Sequence, residues 1–205
     1  MIKPELLFSY LDEKYPNAYC ELVYSKDYEF LIAVMLSAQT TDKSVNQATA
    51  ILFSKYKTLE DLANAELNDV EFIIRHLGMY QVKAKNVISI AKILLKQYQG
   101  KVPNDPCALL AMPGVGNKTK NCVLGELFNE PLIAVDTHMQ RVAKRLGIAD
   151  EKDSVEKIEQ KYMSIIPKER VVKTNHQIIW FGRYFCKALS PECGCCKLRE
   201  FCEKH

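Results

Sequence analysis

The sequence predicts an all-α fold. Apolar residues recur at helical spacing in nearly every segment, and runs that alternate as strands do are hard to find. Proline, glycine and the small capping residues fall where helices start and stop. At 205 residues and 48% hydrophobic, the chain can bury a sizeable core, as one domain or as two small ones.

Pro4 opens a first helix with Leu7 and Leu11 on one face, and residues 30–36 are apolar all round, as in a wholly buried helix. Thr41 and Asp42 can cap a helix carrying Val45, Ala48, Ile51 and Leu52; residues 67–76 make another that ends near Gly78. A longer helix follows, with Ala84, Val87, Ile88, Ala91, Leu94, Leu95 and Tyr98 inward and Gly100 just past its end. Asp105-Pro106 starts a short helix through Met112. Pro113-Gly114-Val115-Gly116 interrupts it, and a second begins near Asn117, giving a helix–hairpin–helix. Three more helices are expected over 135–146, 154–166 and 171–187, with any domain boundary in a short loop such as that around Asn129 to Pro131.

No apolar run approaches the length of a membrane span, and no basic-then-apolar signal segment is present. The start at Met1 in an acidic amphipathic segment shows no transit peptide, so the expected setting is a prokaryotic cytoplasm, nucleoid-associated, without membrane attachment. The net charge of +3 is unevenly spread: residues 75–120 hold eight Lys/Arg against Asp105 alone. Such a basic stretch would attract a phosphate backbone by counterion release, although most charged stretches are only solvated helix faces.

Eight cysteines without an extracellular signal point to metal binding or buried thiols rather than disulfides. Cys20, Cys107 and Cys122 sit in apolar surroundings and read as small core residues. The tail reads Cys186-x6-Cys193-x2-Cys196-x5-Cys202, four thiols spaced to converge on one metal centre. Tetrahedral zinc and a [4Fe-4S] cluster both take four thiolates; paired zinc knuckles are tighter than these gaps. Cys195 beside Cys196 offers a competing register.

In Pro113-Gly114-Val115-Gly116-Asn117-Lys118-Thr119-Lys120, two glycines flank Val115, so that backbone N–H groups can approach an anion such as a DNA phosphate. The alternative is an ordinary tight turn. Lys118 lies just inside the second helix, where the positive helix end and Lys120 disfavour an ammonium charge. A lysine there can serve as a nucleophile toward sugar C1′, or simply as a phosphate-binding cation. Asp136 stands where an apolar run becomes a helix. It is either an N-cap or a carboxylate that stabilises positive charge at a sugar whose glycosidic bond is breaking. His138 reads as a structural hydrogen-bonder.

Leu110-x-x-Pro113-Gly114-Val115-Gly116-x-Lys118-Thr119, Val135-Asp136-Thr137-His138 and the cysteine tail together resemble the endonuclease III family of helix–hairpin–helix DNA glycosylases. Leu36-Ser37-Ala38-Gln39-Thr40-Thr41-Asp42 and Gly78-Met79-Tyr80 with Lys83-Ala84 and Asn86 extend the resemblance over nearly the whole chain. It implies two helical domains, residues 21–130 with the hairpin and residues 1–20 plus 131–205 with a [4Fe-4S] loop, and a DNA groove between them. It further implies a monomeric base-excision-repair enzyme that removes oxidised pyrimidines from double-stranded DNA and nicks the abasic site by β-elimination. Lys118 would be the Schiff-base nucleophile, Asp136 the catalytic carboxylate, and Cys186, Cys193, Cys196 and Cys202 the cluster ligands. Gln39 and Met79 would fill the gap left by the extruded nucleotide, and Gly114, Val115, Gly116, Thr119 and Lys120 would contact DNA.

Two departures from the family's pattern bear on substrate preference: Met79 stands where leucine is usual, and Lys120 where a small residue follows Lys118-Thr119. Three rival readings remain: an adenine-removing mismatch glycosylase of the same fold, a non-catalytic DNA-binding module, and a zinc-stabilised helical protein. The first lacks the lysine and carries a further domain, against which Lys118 and the end at His205 are set.

Overall fold

Helix α1 (Pro4–Lys14) starts where proline occupies the first turn, whose N–H would in any case lack a partner, and it buries Leu7 and Leu11 completely. The structure, a computed structural model, describes residues 2–202; the expectations that rested on Met1 and His205 lie outside the described residues. The chain divides into two compact units, one of residues 1–20 with 129–205 and the other of residues 21–128. Asn129, at φ +54°, stands at the boundary.

The unit of residues 21–128 is built around α2 (Asp27–Leu36), in which every residue from Tyr28 onward is buried. A helix apolar on all sides has to be central, and α2 packs on α3 (Asp42–Lys55), α6 (Tyr80–Tyr98) and α8 (Asn117–Phe128). Its one buried carboxylate is accounted for: Glu29 Oε2 accepts the N–H groups of Ser25 at 2.8 Å and Lys26 at 3.2 Å, closing the helix start. Thr41 caps α3 by accepting from Ser44 N at 3.3 Å, as its position suggests. The sequence reading missed α4 (Leu59–Ala63), a five-residue helix set by a reciprocal capping box between Thr58 and Asp61, both bonds at 3.0 Å. With α5 (Leu67–Ile74) it packs against α6, and α7 (Pro106–Leu110) packs against α8 to form the hairpin.

In the other unit, α1 and α9 (Thr137–Arg145) pack on α11 (Val171–Trp180), and α10 (Val155–Ile165) packs on α9. Tyr162 of α10 is fully buried and donates its hydroxyl to the Met139 carbonyl at 2.9 Å, so its polar end is satisfied inside the core. Three expectations are corrected. The helix expected from residue 135 begins at Thr137: Val135 is buried but outside the helix, Asp136 is extended, and Ala134 N–H bonds Asn175 Oδ1 at 3.0 Å instead of joining a helix. The single helix expected over 171–187 is α11 followed by a π-turn, Phe181–Phe185. There arginine side chains take carbonyls that a continuing α-helix would need: Arg141 Nη2 bonds Gly182 O at 2.6 Å, and Arg141 Nε bonds Cys186 O at 3.0 Å. Cys107, read as a core residue, is exposed; Cys20 and Cys122 are half-buried. Among the described residues there is no strand, and no helix long and apolar enough to cross a membrane.

Candidate nucleic-acid interface and catalytic residues

The hairpin connecting α7 to α8 is held by its backbone. Asp105 caps α7, its Oδ1 accepting from Cys107 N at 2.8 Å and Ala108 N at 3.3 Å, and Val115 N–H bonds the Met112 carbonyl at 3.2 Å. Gly114 has φ +78°, and a Cβ there would lie 2.5 Å from Asn86 Nδ2 and 3.1 Å from Met35 Cγ, so both conformation and space call for glycine. Gly116 meets nothing within 4 Å. Its carbonyl accepts Lys120 N–H at 2.9 Å, which makes Gly116 the residue preceding the first helical turn. The N–H groups of Asn117, Lys118 and Thr119 therefore have no intrahelical acceptor and form the positive end of α8. Lys118 is exposed in that turn and Lys120 is half-buried. The side chains of Val115 and Thr119 are buried, so any contact these two make with a phosphate runs through their backbone.

Gln39 and Met79 are exposed residues in the left-handed region, at φ +54° and +57°. Non-glycine residues pay roughly 1–2 kcal/mol for that conformation, and each here presents a long, flexible side chain from a strained turn. Met79 immediately precedes α6 and is 55% exposed, an unusual place for an apolar residue of that size.

Asp136 caps α9, its Oδ1 accepting from Met139 N at 2.8 Å. Two residues on, His138 Nδ1 lies 3.1 Å from Arg141 Nη2. A guanidinium only donates, so Nδ1 is the acceptor and the imidazole is neutral there. Burial holds His138 below the usual histidine range, the Asp136 charge pulling the other way. Gly182 allows this packing, for a Cβ on it would lie 2.8 Å from His138 Cβ. One turn after Arg141, Arg145 Nη1 reaches Cys186 O and Sγ, both at 3.2 Å, and Lys187 O at 2.8 Å. Thus α9 carries Asp136 at its first end and is fastened through two arginines to the segment that begins with Cys186. Neither arginine was singled out from sequence; their i, i+4 spacing on a helix with a cysteine-rich segment downstream was the only signal.

Cys186, Cys193, Cys196 and Cys202 line one pocket, together with Arg145 and the rings of Phe181 and Phe185. Cys195 is exposed, its Sγ turned to the Glu192 carbonyl, so the Cys193-x2-Cys196 register is the one that lines the pocket. Among the described residues no three His, Cys, Asp or Glu side chains close on a single ion position. The four thiols, with Arg145 and Arg199 also lining the pocket, make a soft donor set suited to a metal group.

A family model described as HhH-GPD superfamily base excision DNA repair protein matches residues 32–168, more than half of the chain. Endonuclease III of Bacillus subtilis is 45% identical over 200 residues, covering 98% of this chain and 91% of that protein. Endonuclease III of Escherichia coli K12 is likewise 45% identical, over 193 residues, with coverages of 94% and 91%. The chain belongs to the endonuclease III family. A solved structure of a trapped endonuclease III–DNA covalent intermediate superposes with a TM-score of 0.93 at 44% identity, covering 100% of this chain and 97% of that one. A thermostable thymine-DNA glycosylase, 22% identical with a TM-score of 0.86, shares the fold. Membership in the endonuclease III family brings with it a metal-binding cofactor.

Proposed function

We infer that this chain is a bifunctional DNA glycosylase and abasic-site lyase of base excision repair, acting on oxidised pyrimidines in double-stranded DNA as a monomer of the bacterial cytoplasm and nucleoid. The observation that carries the reading is its close likeness, over the whole chain, to an endonuclease III that forms a covalent intermediate with DNA. A covalent intermediate requires a nucleophile. Lys118, exposed in the first turn of α8 beside a glycine hairpin suited to phosphate, supports that role.

A stacked base hides C1′, so the damaged nucleotide leaves the helix at a cost of about a few kcal/mol. Gln39 and Met79, presented from left-handed turns, fill the vacated space. The hairpin N–H groups of Gly114 and Gly116, with Thr119 and Lys120, hold phosphates and fix the register without reading sequence, Val115 N–H being committed to the Met112 carbonyl and shaping the turn. The Lys118 amine attacks C1′ and the base departs with the bonding electron pair, taking up a proton. Asp136 offsets the positive charge that develops at the sugar and assists proton transfer. The C1′–O4′ bond then opens to leave a protonated imine between Lys118 and C1′. Loss of a C2′ proton drives β-elimination, which expels the 3′ phosphate; water releases the lysine and the nicked product.

Cys186, Cys193, Cys196 and Cys202, which line one pocket, would hold a [4Fe-4S] cluster, as the family resemblance implies. When bound, the cluster cross-links the segment 186–202 and supplies no bond-making step. The test is excision from an end-labelled duplex carrying one thymine glycol. Strand cleavage 3′ to the lesion by β-elimination is expected; release of the base without cleavage would indicate a lyase-deficient glycosylase, and binding without either reaction a docking module.

A further inference from the structure

We propose that Lys83 is a positioning residue that ties the Gln39 loop to the Met79 turn, so that the two side chains offered to the duplex are inserted as one unit. The proposal rests on the reading of Gln39 and Met79 given above. Lys83 lies in the first turn of α6 and the residue is only 3% exposed. Its Nζ donates to Ala38 O at 2.8 Å and to Thr40 Oγ1 at 3.0 Å, the two neighbours of Gln39. Its backbone N–H donates to Met79 O at 3.0 Å. One residue thus bonds both left-handed turns, through its main chain to one and its side chain to the other.

Burying an ammonium is costly, and the cost is usually offset by a carboxylate. Both acceptors of the Lys83 ammonium are neutral, a carbonyl and a hydroxyl. Filling space does not explain the residue, since methionine would fill the same volume without desolvating a charge. What a cation adds is a charge-assisted bond to the Ala38 carbonyl, stronger than a neutral one. That bond holds a loop whose left-handed Gln39 would otherwise relax: Thr40 N–H closes the turn on Ser37 O at 3.0 Å, and Thr40 Oγ1 lies 3.3 Å from the same Ala38 carbonyl. Phosphate binding, the commoner role for a lysine in this basic stretch, is opposed by the burial of Nζ against protein acceptors. Burial lowers the lysine's pKa and so works against its charge, which the two hydrogen bonds donated by Nζ oppose.

The experiment compares the full chain with Lys83→Met and Thr40→Val. Two substrates are used: a duplex with thymine glycol opposite adenine, where an orphaned base must be accommodated, and a single strand with an abasic site, where none exists. Excision from the duplex should slow at least tenfold in Lys83→Met and about threefold in Thr40→Val, while cleavage of the single strand stays within twofold. Amide hydrogen exchange over residues 37–41 should accelerate at least tenfold in Lys83→Met. Equal slowing on both substrates, or unchanged exchange over 37–41, would overturn the proposal. If Lys83→Met does not fold, Thr40→Val, which leaves the lysine in place, decides it by the same ratio. A wild-type protein that cleaves neither substrate would instead overturn the functional reading, while the exchange result would still report on the tie.

Discussion

Asp136 has two possible duties, and replacing it in two ways separates them. Its Oδ1 accepts Met139 N–H at 2.8 Å as the cap of α9, and its charge is assigned to the sugar. Asparagine caps a helix about as well as aspartate, whereas alanine in place of a capping residue costs about 1 kcal/mol. Asp136→Asn should therefore keep wild-type stability to within roughly 0.5 kcal/mol, the small loss coming from the helix-end charge. Asp136→Ala should lose about 1 kcal/mol more, which for a chain of this size lowers Tm by about 2–4 °C. Both should lose excision alike, by on the order of 10²–10⁴, because both lack the charge. At 1.36 kcal/mol per decade that is about 3–5 kcal/mol of barrier, well beyond the capping term. Thermal melts and single-turnover excision of thymine glycol provide the two readings. An Asp136→Asn protein that excises within threefold of wild type, beside a destabilised Asp136→Ala, would make the residue a cap and nothing more.

Gly114→Ala forces a side chain into φ +78° and places its Cβ 2.5 Å from Asn86 Nδ2 and 3.1 Å from the buried Met35. Denaturant melts should show a loss of about 1–3 kcal/mol, and gel-shift titration a weaker grip on duplex DNA. Hydrogen bonds from Lys173 and Gln177 and the charge of Arg170 lower Asp12 from 3.8 to about 2. Its folded-state pKa being the lower one, its contribution is present above about pH 4 and is lost as pH falls toward 2. The stability gap between wild type and Asp12→Asn should close over that interval, and a gap that persists at pH 2 would refute the assignment. Purified protein should be brown, with iron and sulfide in equal amounts; a colourless protein holding zinc would overturn the cluster. Cys202→Ser should lower the iron content, while Cys195→Ser, whose thiol points to the Glu192 carbonyl, should not.

Much of the fold was legible in the sequence because its helices are long enough to show a stripe and carry local stop signals. The buried run of α2, the Thr41 cap and the Gly100 terminator needed no tertiary information. What escaped was short or set from a distance. Helix α4 has five residues, too few for a period, though Thr58 and Asp61 spell a capping box. The π-turn at Phe181–Phe185 depends on arginines some forty positions earlier, which no local pattern announces. The site was legible as motifs, but the roles within it were not. Asp136 is a cap by geometry and a catalyst by assignment, and Lys83 stood in the sequence as a motif position without a role until its burial gave it two partners around Gln39.

The central claim is that Lys118 forms an imine with the abasic sugar. The direct measurement is borohydride reduction of the protein on a duplex carrying thymine glycol or an abasic site, followed by denaturing electrophoresis, with Lys118→Gln alongside. Wild type should give a covalent protein–DNA band, and Lys118→Gln, folded and still binding the duplex, should give none. A band of equal strength from Lys118→Gln would assign the nucleophile elsewhere, and no band from wild type that binds the duplex would contradict the lyase mechanism itself.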